Sequence, residues 1–214
     1  MFNKLKAVIF DLDGTIVDSM WIWKQIDIDF LAKRNIDLPD DLQKAIEGMS
    51  FTETAIYFKN RFNLEETVDE IKEEWNDMAY DFYTNKVTLK KGVREFIINL
   101  KEKDIKLGIG TSNSRELATQ VLKKHDILKY FDTLRTSCEV DKGKPHPDVF
   151  LKVAEDLNVE PEDCLVFEDT YAGVLAAKRA GMNVFAVADE LSFPYKDEIC
   201  KLADKYIEDF KDIA

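Results

Sequence analysis

Short polar stretches that could bind a metal ion and an anion occur at four places in this chain. They are Asp11-Leu12-Asp13-Gly14-Thr15, Thr111-Ser112-Asn113, Lys144-Pro145 and Glu168-Asp169. Carboxylates that lie close together repel one another and lose solvation, so they need a cation to neutralise them. The four acidic residues of the first and last stretches offer only oxygen ligands, which Mg²⁺ prefers. The hydroxyl of Thr111 and the ammonium group of Lys144 are suited to hold an anion beside such a metal.

Apolar segments of strand length precede these stretches and alternate with helical patterns. The predicted strands are Leu5–Phe10, Lys106–Gly110, Thr133–Thr136, Cys164–Phe167 and Val184–Val187. The predicted helices between them span 92–102, 114–124, Pro147–Leu157 and 171–180. This alternation predicts an α/β fold with a Rossmann-like parallel sheet and helices on both faces. Ligands of such sheets bind outside the carboxyl ends of the strands, so we expect the four polar stretches, each assigned to a strand end, to meet there.

The segment from residue 16 to residue 87 has a different pattern, with long helical periodicities and few β-branched runs. Its predicted helices span roughly 17–34, 40–47, 52–61 and 65–83. The chain therefore divides into an α/β core, residues 1–15 and 88–214, and a helical insert, residues 16–87. Because the insert leaves directly after the first strand, we expect it to lie over the ligand crevice as a lid.

Composition excludes several classes of function. The 214 residues include 30 Lys and Arg against 42 Asp and Glu, a formal net charge of −12. So acidic a chain is poorly suited to bind nucleic acid or an anionic membrane surface, since each phosphate contact needs a basic group. The hydrophobic fraction of 45% suffices for a substantial core and argues against disorder.

Cysteine usage and apolar runs indicate where the protein works. Cys138, Cys164 and Cys200 are odd in number and form no CxxC pattern, which indicates reduced thiols rather than a disulfide framework or a zinc site. The apolar run at 7–10 is too short for a signal peptide, and no run of about 18 apolar residues occurs elsewhere. We therefore expect a cytoplasmic protein, and nothing in the sequence demands more than a monomer.

The order DxDGT, hydroxyl, Lys and acidic pair resembles the haloacid dehalogenase superfamily, in particular its phosphatase and β-phosphoglucomutase-like branch with a helical cap after the first strand. The similarity covers essentially the whole core. The resemblance implies that Asp11 is the nucleophile that attacks phosphorus and becomes an aspartyl phosphate. It implies that Asp13 protonates the leaving oxygen and then deprotonates the water that hydrolyses the intermediate.

The resemblance also implies a binding set and a reaction. The implied phosphate-binding residues are Thr111, Ser112, Asn113 and Lys144. The implied Mg²⁺ site comprises Asp11, Asp13 through its carbonyl, Glu168 and Asp169, with Glu168 either a ligand or a partner of one. The implied reaction is Mg²⁺-dependent hydrolysis of a small phosphate ester, for example a sugar phosphate. Such chemistry depends on positioning and on neutralised charge, which Mg²⁺ and Lys144 would supply around Asp11.

Two departures from the branch bear on the choice between hydrolysis and isomerisation. Its mutase-type members carry a His ten residues after the second Asp of DxD, where this chain has Trp23. The segment 47–52 resembles the specificity loop of the family but lacks the Arg often found there. Both differences favour a phosphatase, while a β-phosphoglucomutase-like phosphotransferase stays open. Trp23 shares a helical stripe with Ile26 and Phe30, which favours a packing role over a substrate-facing one.

A non-enzymatic alternative is a phosphoacceptor signalling domain, which also uses an Asp, a hydroxyl, a Lys and Mg²⁺. Such a domain needs no lid, whereas an enzyme that excludes water and selects a leaving group does. The long helical insert therefore favours an enzyme. Asp11 and Asp13 could also belong to an ordinary solvated turn after a strand. That interpretation does not explain why the other three polar stretches are assigned to strand ends as well.

Overall fold

The computed structural model describes residues 5–213. Over this range the chain forms eight strands: β1 (Ala7–Phe10), β2 (Val17–Asp18), β3 (Thr88–Leu89), β4 (Lys106–Thr111), β5 (Thr133–Thr136), β6 (Cys164–Glu168), β7 (Asn183–Val187) and β8 (Lys205–Ile207). Within the same range there are nine α-helices: α1 (Met20–Ala32), α2 (Leu42–Ile46), α3 (Phe51–Phe62), α4 (Val68–Asp81), α5 (Val93–Glu102), α6 (Arg115–Lys124), α7 (Asp148–Leu157), α8 (Tyr171–Arg179) and α9 (Lys196–Leu202). Residues 1–4 and 214 of the predicted core lie outside the described residues.

Six of the strands form one parallel sheet in the order β5-β4-β1-β6-β7-β8. The central strand β1 pairs in parallel with β4 and β6, so that Ile9 lies between Gly108 and Val166. All four residues of β1 are fully buried, as expected for a strand covered on both faces. The predicted α/β fold with a Rossmann-like parallel sheet is confirmed.

The two faces of the sheet belong to two hydrophobic clusters, because side chains alternate along each strand. Ala7 and Ile9 pack in one cluster with residues of α7 and α8. Val8 and Phe10 pack in the other with residues of α5 and α6. This second cluster continues into α1, α3 and α4, where Phe30, Phe58 and Trp75 pack edge to face.

The helical insert contains α1 to α4, and a π-helical turn follows at Phe82–Lys86. One expectation is wrong here: the predicted helix from residue 17 begins only at Met20. Instead, β2 pairs in antiparallel fashion with β3 where the chain enters and leaves the insert. The strand partners lie far apart along the chain, so local periodicity carries no sign of this pairing.

Helix ends differ from the sequence prediction where capping groups decide them. The predicted helix at 65–83 begins at Val68, because the Thr67 side chain accepts a hydrogen bond from the Glu70 amide in a capping box. Both α9 and β8 went unpredicted, since they are short and neither carries a long periodic pattern. Along residues 5–213 no helix is long and apolar enough to cross a membrane. The cytoplasmic location and the monomeric state stay predictions.

Candidate active site

A cavity of about 190 Å³ lies between the carboxyl ends of the central strands and the helical insert. We call its lining residues from 16–87 the insert wall and its other lining residues the core wall. Seven of the eight predicted site residues belong to the core wall: Asp11, Asp13, Thr111, Ser112, Asn113, Lys144 and Glu168. The eighth, Asp169, follows directly in the chain but does not line the cavity.

Strand geometry explains how the residues of the core wall meet. Asp11 follows β1, while Thr111 and Glu168 are the last residues of the neighbouring strands β4 and β6. Parallel strands end at the same edge of a sheet, so these three side chains converge. The sequence pattern assigned Lys144 to the end of a strand as well, and this placement is wrong. Lys144 lies in the loop between β5 and α7, beyond a 3₁₀ turn at Ser137–Glu139.

Lys144 forms the electrostatic centre of the core wall. Its Nζ atom lies 2.5 Å from Asp11 Oδ1 and 2.6 Å from Glu168 Oε1, and all three side chains are buried. Burial lowers the pKa of Lys144, but the attraction of Asp11 and Glu168 outweighs it, so that the pKa is raised overall. Lys144 therefore stays a charged ammonium group at any physiological pH.

Glu168 has hydrogen-bond donors on both of its carboxylate oxygens. Oε1 accepts from Lys144, and Oε2 accepts from the Thr170 amide at 2.8 Å and from the Thr170 hydroxyl at 3.0 Å. A Cβ atom at Gly173 would lie 1.8 Å from Glu168 Oε1, so only glycine lets α8 begin this close. These contacts make Glu168 an anchor for Lys144, and its direct binding of a metal stays a prediction.

Asp169 has one satisfied and one unsatisfied carboxylate oxygen. Oδ1 accepts a hydrogen bond from the Thr15 hydroxyl at 3.0 Å, while Oδ2 is buried without a partner among residues 5–213. Gly14 has a φ of +79°, and a Cβ atom there would lie 2.2 Å from Asp169 Oδ2. Burial and the nearby charges of Glu168 and Asp11 raise the pKa of Asp169. A buried, unpartnered carboxylate oxygen beside other acids is what a cation would satisfy.

The residues present fit a magnesium ion. Three buried acids, Asp11, Glu168 and Asp169, lie near one ammonium group, that of Lys144. Burial and the charge of Glu168 raise the pKa of Asp11 while Lys144 opposes this, and a cation would favour its ionised form. In the described part of the chain, no three or more His, Cys, Asp or Glu side chains are arranged as a group that could hold a metal ion by themselves. Mg²⁺ keeps several waters and binds through one or two carboxylates, so it does not require one.

Asp13 is held by donors from both sides of the cavity. Ser19 Oγ lies 2.5 Å from Asp13 Oδ1, and the Tyr83 hydroxyl donates to the same oxygen. Asn113 Nδ2 donates to Asp13 Oδ2 at 2.8 Å. Trp23 Nε1 donates in turn to the Tyr83 hydroxyl at 2.9 Å. Burial and the charge of Asp13 raise the pKa of the Tyr83 hydroxyl well above its ordinary value, so Tyr83 remains a donor.

Sequence reasoning missed Ser19 and Tyr83. Tyr83 was the last residue of a predicted helix and lies in the π-helical turn, where no motif marks it. The two interpretations of Trp23 are both realised in part. Its ring packs edge to face on Phe51 and Tyr83, and it also lines the cavity.

The residues after β4 link the core wall to the insert. Thr111 is buried and its hydroxyl accepts the Asn113 amide at 3.1 Å. The carbonyl of Ser112 accepts the Phe51 amide at 3.0 Å, which docks the start of α3 on the core. Glu47 of the predicted specificity loop accepts the Ala172 amide at 2.9 Å. The loop therefore closes one end of the cavity.

Such a constellation, a carboxylate after the first strand beside a lysine and further acids at parallel strand ends, is the arrangement that the sequence resemblance implied. The family model described as haloacid dehalogenase-like hydrolase matches residues 8–187. The chain belongs to this family, and the predicted membership and hydrolase class are confirmed.

The chain is similar to several proteins over most of its length. A phosphorylated carbohydrates phosphatase of Thermotoga maritima is 31% identical over 189 residues, which are 88% of each chain. A β-phosphoglucomutase of Bacillus subtilis is 34% identical over 86% of this chain and 82% of its own. The structure of a β-phosphoglucomutase from Clostridium difficile superposes with a TM-score of 0.80 at 26% identity, covering 98% of this chain and 93% of that one.

Proposed function

We propose that this hydrolase is a Mg²⁺-dependent phosphatase of a small phosphorylated metabolite, with a sugar phosphate as the class of substrate. The observation that carries the proposal is the pair of Asp11 and Lys144, 2.5 Å apart in a buried cavity, with Asp13 held nearby. Similarity to a phosphatase of phosphorylated carbohydrates supports the substrate class.

The first step forms a covalent intermediate on Asp11. A carboxylate oxygen of Asp11 attacks phosphorus while the bond from phosphorus to the leaving oxygen breaks, and Asp13 gives that oxygen a proton. Lys144 balances the charge of the phosphoryl group as the anionic nucleophile approaches it. The hydroxyl of Thr111 and the polar groups of Ser112 and Asn113 orient the phosphoryl oxygens.

The second step releases phosphate. Asp13 removes a proton from a water molecule, which attacks phosphorus and breaks the bond to Asp11, so that both carboxyl groups return to their starting states. Asp11 and Asp169 would hold Mg²⁺, with the Asp13 carbonyl and Glu168 as further candidates. When bound, the ion supplies positive charge that lets a carboxylate approach a phosphate dianion.

We propose further that the chain works as two units, a core of 1–15 and 88–214 and a lid of 16–87. The pairing of β2 with β3 supports this division, because it ties together the two points where the chain crosses between them. Residues from both units line the same cavity. A lid would exclude bulk water while the aspartyl phosphate exists.

The phosphatase is tested by phosphate release from a panel of sugar phosphates, with and without Mg²⁺. We expect turnover that a chelator abolishes and added Mg²⁺ restores, and an Asp11→Asn variant that is at least about 10³-fold slower with an unchanged circular dichroism spectrum. Near-normal Mg²⁺-dependent hydrolysis by Asp11→Asn would falsify the covalent mechanism.

The second candidate function is a β-phosphoglucomutase-like transfer, which the similarity to two such proteins favours. It predicts isomerisation of a hexose 1-phosphate in the presence of a bisphosphate activator. The products are monitored by ³¹P NMR. Release of free phosphate without formation of any isomer excludes the mutase function.

A further inference from the structure

A hydrogen-bonded polar pair lies in the mainly apolar insert wall, which also contains Glu47 and Thr54. Asp27 of α1 and Gln43 of α2 both line the cavity, and Gln43 Nε2 donates to Asp27 Oδ2 at 2.7 Å. Their neighbours in this wall include Met20, Trp23, Ile46, Met49, Phe51 and Trp75. Asp27 is 6% exposed, so its carboxyl group is almost wholly withdrawn from bulk water.

The hydrogen bond of this pair joins α1 to α2, but it leaves Asp27 without a charged partner. A buried carboxyl group is costly unless it is paired or fully hydrogen-bonded. Among the described residues Gln43 is the one side chain that donates to Asp27, and no basic side chain neutralises it. Burial raises the pKa of Asp27 to about 7, although Gln43 opposes this. Gln43 donates to Oδ2 alone, so Oδ1 is open to a ligand that enters the cavity.

Charge limits what that ligand can be. The residues of the insert wall include the acids Asp27 and Glu47 and neither Lys nor Arg. The cation of the core wall, Lys144, is already bonded to two carboxylates. A second phosphate or a carboxylate on the leaving group would thus meet acids and no partner. A neutral group with hydroxyls avoids this repulsion, because a hydroxyl can both donate and accept.

We propose that Asp27, held in place by Gln43, hydrogen-bonds a hydroxyl of a neutral, polyhydroxylated leaving group. The pair thereby selects phosphate esters of sugars or sugar alcohols over esters that carry a second anionic group. The aromatic rings around it provide flat apolar surface for the C–H faces of such a group. This inference rests on the proposed phosphatase function and assigns its specificity to two residues outside the catalytic motifs.

The test compares leaving groups by their kcat/KM ratios. 4-Nitrophenyl phosphate reports phosphate-ester hydrolysis without any leaving-group hydroxyl, and failure of the wild type to hydrolyse it or any sugar or polyol phosphate overturns the proposed function itself. The leaving group of sorbitol 6-phosphate is neutral and polyhydroxylated, that of 2-phosphoglycolate carries a carboxylate and that of phosphocholine carries a cation. For the wild type we expect kcat/KM for sorbitol 6-phosphate to exceed kcat/KM for each of the other two esters at least about tenfold.

The variants Asp27→Leu and Gln43→Leu remove the pair from either side. We expect each to lower the ratio of sorbitol 6-phosphate to 4-nitrophenyl phosphate about tenfold or more, mainly through KM. Asp27→Asn keeps the shape and the hydrogen bond from Gln43, so it should recover the ratio to within about threefold of the wild type. Asp29→Leu is the matched control, since Asp29 lies exposed on the same helix and should leave the ratio unchanged.

Four results would overturn the inference while leaving the phosphatase intact. The first is a kcat/KM ratio of sorbitol 6-phosphate to 4-nitrophenyl phosphate that stays within about twofold of the wild type in both Asp27→Leu and Gln43→Leu. The second is a wild-type preference for 2-phosphoglycolate, and the third is a preference for phosphocholine. The last is hydrolysis of 4-nitrophenyl phosphate with no hydrolysis of sorbitol 6-phosphate or of any other polyol phosphate.

Discussion

The two walls of the cavity satisfy their polar groups in opposite ways. In the core wall Lys144 bridges Asp11 and Glu168, and Glu168 is held again by Thr170. The insert wall is mainly apolar, and its two acids have fewer partners: Asp27 accepts from Gln43, and Glu47 accepts from the Ala172 amide. The excess negative charge is also uneven, since residues 16–87 contain 16 acidic and 8 basic side chains and the rest contain 26 and 22. Two thirds of the net charge thus lie in one third of the chain.

Under the proposed function this contrast separates the chemistry from the choice of substrate. The core wall would meet the phosphoryl group, which is the same in every phosphate ester, and Lys144 and Glu168 there have several partners each. The insert wall would meet the leaving group, which varies, and the pair of Asp27 and Gln43 could change without disturbing the ion pairs of the core wall. The predictions below either break this separation or define it more sharply.

The largest effect is expected for Lys144→Met, which removes the central cation of the core wall. Asp11 and Glu168 would then be buried without their shared partner, so the free energy of unfolding should fall by about 3–5 kcal/mol. Loss of the charge that faces the phosphoryl group should lower kcat/KM by about 100-fold or more for every substrate alike. Denaturant unfolding and phosphate release measure the two effects.

A matched control is Lys178→Met. Lys178 also forms an ion pair within residues 88–214, with Asp204, but its side chain is about one-third exposed to solvent. Its loss should change stability by less than about 1 kcal/mol and leave activity alone. Equal effects of the two substitutions, or a substrate-dependent loss for Lys144→Met, would contradict the division between the walls.

The insert wall predicts an effect of pH on stability through Asp27. Its pKa is raised from 3.8 to about 7 by burial, so the folded protein holds this proton more tightly than the unfolded chain. Raising the pH from about 4 to about 7 therefore removes stability, up to about 4 kcal/mol above pH 7. Asp27→Asn does not titrate, so it should stabilise the protein at pH 8 and progressively less towards pH 4.

Equilibrium unfolding at pH 5 and pH 8 measures this difference. Asp29→Asn, on the exposed face of the same helix, is the control and should show the same pH dependence as the wild type. A gain from Asp27→Asn that is equal at both pH values would show that burial does not hold the Asp27 proton.

The fold was largely predictable because its signals are local. A buried strand such as β1 is a short apolar run, and the helices α5 to α7 each carry a strong 3.6-residue periodicity. What failed depends on distant partners or on short elements. The strands β2 and β3 pair although the whole insert separates them in the sequence. The strand β8 has three residues and lies at the edge of the sheet.

The core wall was predicted residue by residue, and the insert wall only in part, through the loop at 47–52 and one interpretation of Trp23. The core wall derives from motifs at strand ends, which sequence spacing reveals, although Lys144 reaches it from a loop rather than from a strand end. The insert wall depends on which helix faces line the cavity. Helical periodicity separates Asp27, which shares the stripe of Trp23 and Phe30, from the exposed Asp29, but no motif marks Asp27 as a residue that lines a cavity. Tyr83 was equally hidden, yet it touches the residue assigned as acid and base.

The smallest of the expected effects concerns Tyr83, the insert residue that touches the core wall. Its hydroxyl donates to Asp13 and accepts from Trp23 and Asn113, so Tyr83→Phe frees Asp13 from one of its holders. A misplaced acid matters only when the leaving oxygen needs a proton. We expect kcat for an alkyl phosphate to fall about tenfold and kcat for 4-nitrophenyl phosphate to fall far less.

The dependence of kcat on leaving-group pKa separates this positioning role from a loss of packing, which would slow all substrates equally. Tyr57→Phe is the control, because the Tyr57 hydroxyl bonds to Arg61 within the insert and not to Asp13. If Tyr83→Phe slowed both classes of ester by the same factor, the insert would support the fold of the site without taking part in proton transfer. A selective loss would instead show that the two walls meet functionally at Asp13, the one catalytic group that donors from both sides hold.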